Sequence, residues 1–128
     1  MSYYFAKTIS EDFNTAIEKV TEELKKEGFG ILTEIDLQKT LKNKLDVDFR
    51  KYKILGACNP QFAYQAVLAE PSIGTMLPCN VIVQENEDGK VEVSAVDPMA
   101  SMMAVQNEKL HGVAEEVRKK LERVISNL

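Results

Sequence analysis

Two phrases of the sequence contain the same dipeptide, Cys-Asn, and these residues carry the side chains most able to do chemistry. The first phrase contains Cys58-Asn59 and the second contains Cys79-Asn80. A cysteine thiolate is a nucleophile and a soft metal ligand, and an asparagine amide both donates and accepts hydrogen bonds. We therefore take the neighbourhood of the two phrases as a candidate ligand-binding site.

Asp97 joins this site if the hairpin after the second phrase closes on a two-residue turn. Asp88-Gly89 is a strong signal for such a turn. Counting outward from it places Val83 opposite Ser94 and Asn80 opposite Asp97. An asparagine–aspartate pair would then lie at the open end of the hairpin, away from the turn.

A helix that starts after Asn59 would add hydrogen-bond donors at the same place. Asn59 can cap this helix, and Pro60 suits its first position, where an N–H would have no partner within the helix. Free N–H groups at a helix N-terminus attract anions, and ligands commonly bind in crevices at strand ends. The predicted ligand site comprises Cys58, Asn59, Cys79, Asn80 and Asp97.

Two alternative roles for these residues stay open. Free cysteine is among the most buried residue types, so Cys58 and Cys79 could be small core residues. Asn59 could serve only as a helix cap, and Asn80 with Asp97 could serve only turn chemistry. Alternatively, the two cysteines could carry out thiol redox chemistry or handle a metal.

Metal-binding patterns in the sequence are weak, so we assign no metal ligand and leave any cofactor unknown. His111 is the only histidine, and one chain therefore lacks the side chains for a four-ligand zinc site of cysteine and histidine. Met99, Met102 and Met103 follow helical spacing, and thioethers suit Cu(I). Methionines with this spacing more often fill a core or an interface.

Hydrophobic periodicity predicts the elements that must position these residues. Apolar residues at helical spacing predict an amphipathic helix from the Ser10 cap to Gly28, and another from Leu110 to Leu128. Shorter helices are expected at 37–45 and 60–70. Alternating or continuous apolar runs predict five strands, at 3–9, 30–36, 51–58, 79–86 and 90–96.

Strands and helices are interspersed, and we expect one α+β domain that spans residues 1–128. The 86–91 hairpin requires an antiparallel pair of strands, whereas a 60–70 helix between strands suits a crossover. We therefore predict a mixed sheet of about five strands, with the two long helices packed on one face.

Composition argues against several classes of function. Hydrophobic residues make up 45% of the chain, which is enough for a core, and the formal net charge is −4. Nucleic-acid binding needs a basic surface to displace counterions, so we expect no nucleic-acid partner. No apolar run approaches the roughly 20 residues that span a bilayer. The first residues lack a signal-peptide pattern, so we expect a cytoplasmic protein without a membrane partner.

A large part of the chain resembles a known family. The matching phrases are Lys53-Ile54-Leu55-Gly56-Ala57-Cys58-Asn59-Pro60, then an alanine-rich helix, Glu70-Pro71, Ile73-Gly74 and Leu77-Pro78-Cys79-Asn80-Val81. Together with Asp97-Pro98 they resemble the family called domain of unknown function 302, and the resemblance covers nearly the whole chain. It implies a small α+β fold that is commonly dimeric, and it implies no settled activity.

These observations predict a small cytoplasmic module that binds or senses a small-molecule ligand. We expect a homodimer, because any part of the apolar stripe of the C-terminal helix that exceeds what one small sheet covers would favour association; packing of the whole stripe against the chain's own sheet is the alternative. One alternative is a thiol redox or metal-handling protein that uses Cys58 and Cys79. Another is a protein-interaction domain with no small-molecule site. Whether the protein is an enzyme stays open.

Overall fold

The structure, a computed structural model, describes residues 2–128, which form one five-stranded sheet with helices. The strands are β1 (Tyr4–Ile9), β2 (Gly30–Asp36), β3 (Tyr52–Cys58), β4 (Cys79–Glu85) and β5 (Val91–Val96). Their order across the sheet is β1-β5-β4-β3-β2, and every neighbouring pair is antiparallel. The α+β class and the five strands are therefore confirmed.

The prediction of a mixed sheet is wrong in its strand directions. After β3 the chain passes through a helix and returns as β4, which pairs with β3 in the antiparallel direction. A helical connection is compatible with this return as well as with a parallel crossover. The pattern of the 60–70 helix therefore could not determine the direction of the next strand.

Five α-helices and one 3₁₀ helix connect or follow the strands within the described residues. They are α1 (Phe13–Lys26), α2 (Leu37–Leu45), α3 (Pro60–Ala69), the 3₁₀ helix (Pro71–Met76), α4 (Pro98–Ser101) and α5 (Glu108–Ser126). None of these helices combines the length and the apolar character that a membrane crossing needs.

The core forms between the two longest helices and alternate residues of the strands. Amphipathic α1 and α5 bury one face each in the same cluster, in which the sheet residues are mostly β-branched. The cluster includes Ala16, Val20 and Leu24 of α1, Leu121 and Val124 of α5, and Leu55, Val81, Val83, Val93 and Ala95 of the sheet.

Helix α1 starts two residues later than the sequence pattern predicted. Asp12, not Ser10, caps it, because the Asp12 side chain accepts a hydrogen bond of 2.8 Å from the backbone N–H of Thr15. The predicted stop at Gly28 is confirmed. Gly28 adopts a φ of +88°, and the N–H groups of Gly28 and Phe29 bond to carbonyls of the last helical turn.

The hairpin between β4 and β5 closes on three residues, so the predicted register is wrong by one. The N–H of Asn86 donates to the carbonyl of Lys90 at 2.7 Å, and Gly89 has a φ of +81°. Val83 consequently pairs with Val93. A one-residue slip moves every side chain to the other face, and the predicted Asn80–Asp97 pair does not form.

Candidate functional site

A cavity of about 260 Å³ lies where β3 ends and β4 begins, between the sheet and helices α3 and α5. Its lining residues are apolar apart from Cys58, Cys79 and Asn59. The apolar members include Phe29, Phe62, Leu77, Met102, Leu110 and Val117. An apolar cavity with a few polar groups is the usual form of a small-molecule site.

Small side chains on two neighbouring helices create the space. Ala63 and Ala66 of α3 and Ala114 of α5 line the cavity, and the two helices contact each other. Because alanine ends at a methyl group, these helices approach each other without filling the space between themselves and the sheet. The 3₁₀ helix, whose Ile73 is buried, then returns the chain to β4.

A bulge in edge strand β2 adds Leu32 to the lining. Ile31 pairs with Ala57 and Thr33 pairs with Gly56, so Leu32 is an extra residue without a partner on β3. Such a bulge redirects a side chain that regular pleating would place elsewhere. Leu32 lines the cavity and is still 69% exposed, which places it at the opening.

Asn59 occupies the N-cap position of α3 but does not cap the helix with its side chain. Instead its Nδ2 atom donates a hydrogen bond of 3.2 Å to the backbone carbonyl of Glu27, at the end of α1. The Oδ1 atom of the same amide accepts no hydrogen bond from residues 2–128. Asn59 therefore fixes the corner between β3 and α3, and its Oδ1 atom has no donor among the described residues.

Both cysteines are free, and both belong to the residues that line the cavity. Cys79 pairs across the strands with Ala57, the residue before Cys58, and both cysteines are half-buried. Burial raises the pKa of the Cys79 thiol from 9.0 to about 11, and the nearby Cys58 adds to this rise. Cys79 is consequently a neutral thiol at physiological pH, which makes it a poor nucleophile.

The structure places Asn80 away from the cavity. It pairs with Gly56, and its neighbour Val81 points into the core, so the exposed Asn80 lies on the opposite face of the sheet. There it borders a shallow groove with Tyr52 and Ile82. Of the two predicted Cys-Asn phrases, only the first brings both its residues to the cavity.

Asp97 makes its contacts outside the cavity, although it is close in sequence to residues of the cavity lining. The residue is 4% exposed, and its carboxylate accepts a hydrogen bond of 3.0 Å from the Met99 N–H and lies 3.2 Å from the Arg118 Nε atom. It therefore caps α4 and pairs with α5. The next residue, Pro98, lines the cavity, whereas Asp97 does not.

No group of three His, Cys, Asp or Glu side chains that could hold a metal ion occurs within residues 2–128. The ring of His111 makes a hydrogen bond of 2.8 Å with the backbone carbonyl of Val105 and does not line the cavity. Of the three methionines that follow helical spacing, only Met102 lines the cavity, and Met103 is 69% exposed.

Sequence reasoning missed the apolar majority of the lining. Phe29 follows the α1 stop, Phe62 lies in the first turn of α3, and Leu110, Val113 and Val117 belong to the α5 stripe. Each of these residues is indistinguishable from a core residue by its local pattern. The one usable signal was the small-residue character of α3, because helices rich in alanine leave room for another molecule.

The fold and the cavity define a small antiparallel α+β domain with an apolar site between two helices and one end of the sheet. The family model described as "Domain of unknown function DUF302" matches residues 5–128. The chain belongs to this family, which confirms the resemblance that the sequence phrases indicated.

A solved structure has the same fold. It is the crystal structure of an uncharacterised conserved DUF302 protein from Bacillus stearothermophilus, with 27% sequence identity and a TM-score of 0.91. The alignment covers 98% of each chain. No curated protein matches the chain.

Proposed function

We propose that the protein is a binding module whose cavity holds a small apolar or amphipathic molecule. The observation that carries this proposal is the cavity of about 260 Å³ at the β3–β4 end of the sheet. Protein interiors contain few voids larger than a water molecule. An apolar cavity of roughly 150 Å³ already admits benzene, so this space suits a ligand with one or two rings or a short acyl chain.

The polar atoms of the lining indicate how such a ligand would be oriented. Asn59 has its Nδ2 atom committed to Glu27 and its Oδ1 atom free. A ligand hydroxyl or N–H group would therefore find an acceptor at Asn59, while the ligand's apolar part would contact Phe62, Leu110 and Val117. Few, well-placed polar groups in an apolar pocket give orientation and specificity.

The test is a binding titration by NMR on uniformly ¹⁵N-labelled protein. Small probes such as indole, toluene and octanoate would be added to the wild type and to Ala63→Phe, which fills the cavity from α3. The matched control is Gln65→Phe, because Gln65 is exposed on the same helix and does not line the cavity. We expect shifts around Cys58, Phe62 and Leu110 in the wild type and the control, and their loss in Ala63→Phe.

Saturable shifts confined to the cavity would support the proposal. Shifts that persist in Ala63→Phe, or no shift with any probe, would contradict it. The second result would favour a protein-interaction domain, for which the exposed Tyr64, Val67 and Leu68 of α3 offer an apolar surface.

We also propose that the protein is a cytoplasmic homodimer. The α5 stripe that suggested a dimer is largely used in the chain's own core, so the supporting surface is a different one. The sheet face opposite α1 and α5 carries Tyr4, Tyr52, Ile54, Ile82 and Val96, none of which is fully buried. Apolar residues gathered on one open face favour association.

Light scattering coupled to size-exclusion chromatography tests the dimer. Ile82→Lys would place a charge in the middle of this face and is expected to give a monomer. Leu45→Lys, on the exposed side of α2, is the control that should leave the mass unchanged. A monomeric wild type would contradict the dimer and leave the cavity proposal unaffected.

A further inference from the structure

A lysine ammonium lies beside the apolar cavity, at the corner where α1, α3 and α5 meet. Helix α5 lines the cavity with Val113 and Val117. Lys120 follows Val117 by three positions and so lies on the same side of the helix. Its Nζ atom is 5.9 Å from the centroid of the Phe62 ring, and Phe62 belongs to the cavity lining. A positive charge is therefore held next to the lining without being part of it.

The carboxylate that Lys120 contacts is already engaged by another cation. Both oxygens of Glu27 accept hydrogen bonds of 3.2 Å from the Arg123 Nε atom, and one of them accepts a further bond of 2.8 Å from Nη2. The Lys120 Nζ atom lies 3.8 Å from Glu27, which is beyond hydrogen-bond distance. Lys120 makes no other ion pair within residues 2–128. Two cations thus share one carboxylate, and one positive charge is left over.

Partial burial makes this spare charge more effective than that of an ordinary surface lysine. The Lys120 side chain is 26% exposed, against 53% for its neighbour Lys119. Glu116 also acts on Arg123, but its side chain is 57% exposed and lies 3.9 Å from the Lys119 Nζ atom. No acidic side chain lines the cavity. Because solvent screens exposed charges more than partly buried ones, Lys120 gives this edge of the cavity a positive potential.

We propose that the cavity selects amphipathic carboxylates, with the apolar part of the ligand in the cavity and its carboxylate paired with Lys120. This inference rests on the cavity being the protein's binding site, and it names the charge of the ligand. Burying an unpaired carboxylate among apolar side chains is costly, so the charged end of the ligand stays at the edge of the lining. The flexible four-carbon stem of Lys120 can bring its ammonium to that edge.

Matched pairs of probes test the preference for a negative charge. Octanoate is compared with 1-octanol, and indole-3-acetate with indole-3-ethanol, by NMR titration of the full chain at neutral pH. Each acid is ionised, whereas its alcohol has nearly the same apolar part and no charge. We expect each acid to bind roughly 5- to 10-fold more tightly than its alcohol, as one partly exposed charged hydrogen bond would give. Added salt should reduce this preference.

Two neighbouring lysines of α5 supply the variant and its control. Lys120→Gln removes the charge and should abolish the preference for acids, while the affinity for the alcohols stays unchanged and shows that the cavity is intact. Lys119→Gln changes the net charge equally, but Lys119 contacts Glu115 and Glu116 instead, and the preference should remain. A preference that survives Lys120→Gln, or that disappears equally in Lys119→Gln, would overturn the inference.

Glu27→Gln gives a second test that does not depend on the folding of Lys120→Gln. Without the Glu27 carboxylate, Lys120 and Arg123 both lose their competing anion. The preference for acids over alcohols should therefore increase in this variant. An unchanged or smaller preference would contradict the assignment of the carboxylate to this corner.

The same titrations separate failure of this inference from failure of the binding module. Equal affinities of acids and alcohols at the cavity would overturn the charge preference and leave the binding module in place. No shift at the cavity with any probe would contradict both. Acids that shift the resonances of Lys120 and Glu27 but not those of Phe62 and Leu110 would place the anion outside the cavity and overturn the inference.

Discussion

The Nδ2 atom of Asn59 donates a hydrogen bond of 3.2 Å to the backbone carbonyl oxygen of Glu27. This contact joins the start of α3 to the end of α1, across 32 residues of sequence. The carboxylate of Glu27 lies 2.8 Å from the Arg123 Nη2 atom and 3.8 Å from the Lys120 Nζ atom. One residue thus ties together three helices that surround or border the cavity.

Removing the Asn59 amide should loosen this junction. Asn59→Ala deletes the hydrogen bond to Glu27 and should lower the free energy of unfolding by about 1 kcal/mol. Urea denaturation at neutral pH measures the difference. Asn43→Ala, at an exposed position of α2, is the control and should be neutral or slightly stabilising. Equal losses in both variants would show that the Asn59 contact contributes nothing specific.

The charge of Glu27 should make stability depend on acid pH. Arg123, and secondarily Lys120, lower the pKa of the Glu27 carboxyl below its ordinary value of 4.5. A lowered pKa in the folded state contributes stability above pH 4.5, and this contribution disappears as the pH falls through the folded-state pKa. Because Arg123 is half-exposed, we expect at most about 1 kcal/mol.

Comparison of the wild type with Glu27→Gln isolates this contribution. The variant should be less stable at pH 7 and should equal the wild type at the acid end of the range. Glu18→Gln, exposed on α1 and without an ion pair among the described residues, should show no such convergence. A difference between wild type and Glu27→Gln that stays constant with pH would refute an electrostatic origin.

Gly56 should tolerate no side chain. A Cβ atom there would clash with the Thr33 Oγ1 atom and would lie 2.7 Å from the Pro78 Cγ atom. Gly56→Ala should therefore cost roughly 1–3 kcal/mol of stability, as overpacking does. Gly112→Ala in α5 meets no atom within 4 Å and should stabilise the protein by up to about 1 kcal/mol. Thermal unfolding of the two variants should shift in opposite directions.

The Cys79 thiol should react slowly in the folded protein. With a pKa of about 11 instead of 9.0, its thiolate fraction at pH 8 is roughly 100-fold below that of an unfolded cysteine. Iodoacetamide labelling of Cys58→Ser, followed by mass spectrometry, measures this single thiol in the folded and the urea-unfolded chain.

The same shift predicts a loss of stability in base. The unfolded thiol ionises near pH 9 and the folded thiol near pH 11, so stability should fall between these values. Cys79→Ser should remove that part of the slope. In the iodoacetamide experiment, equal labelling rates in the folded and the unfolded chain would show that Cys79 is an ordinary exposed thiol.

The sequence predicted the secondary structure correctly where a position strongly favours one type of residue. Gly28 ends α1 because its positive φ suits glycine, and the α5 stripe marks a core face. The predicted start of α1 was wrong because Ser10 and Asp12 are both favourable N-cap residues. Which of them caps the helix depends on the turn that precedes it.

The candidate site was less predictable, because it depends on distant parts of the chain. One additional loop residue at Glu87 moved Asn80 and Asp97 out of register. The cavity itself is an absence of atoms, produced by Ala66 of α3 and Ala114 of α5, which are 48 positions apart in sequence. No local pattern records such a coincidence, whereas the cysteines at the strand ends were visible in the sequence.

The return of β4 alongside β3 has a consequence for how this architecture can diversify. Residues 59–78 leave and rejoin two strands that are already hydrogen-bonded neighbours. This segment forms one wall of the cavity. It can lengthen, shorten or change composition while the hydrogen bonds between β3 and β4 persist. The wall of the cavity can therefore change while the sheet stays the same, so relatives that share these strands can differ in the size of this cavity.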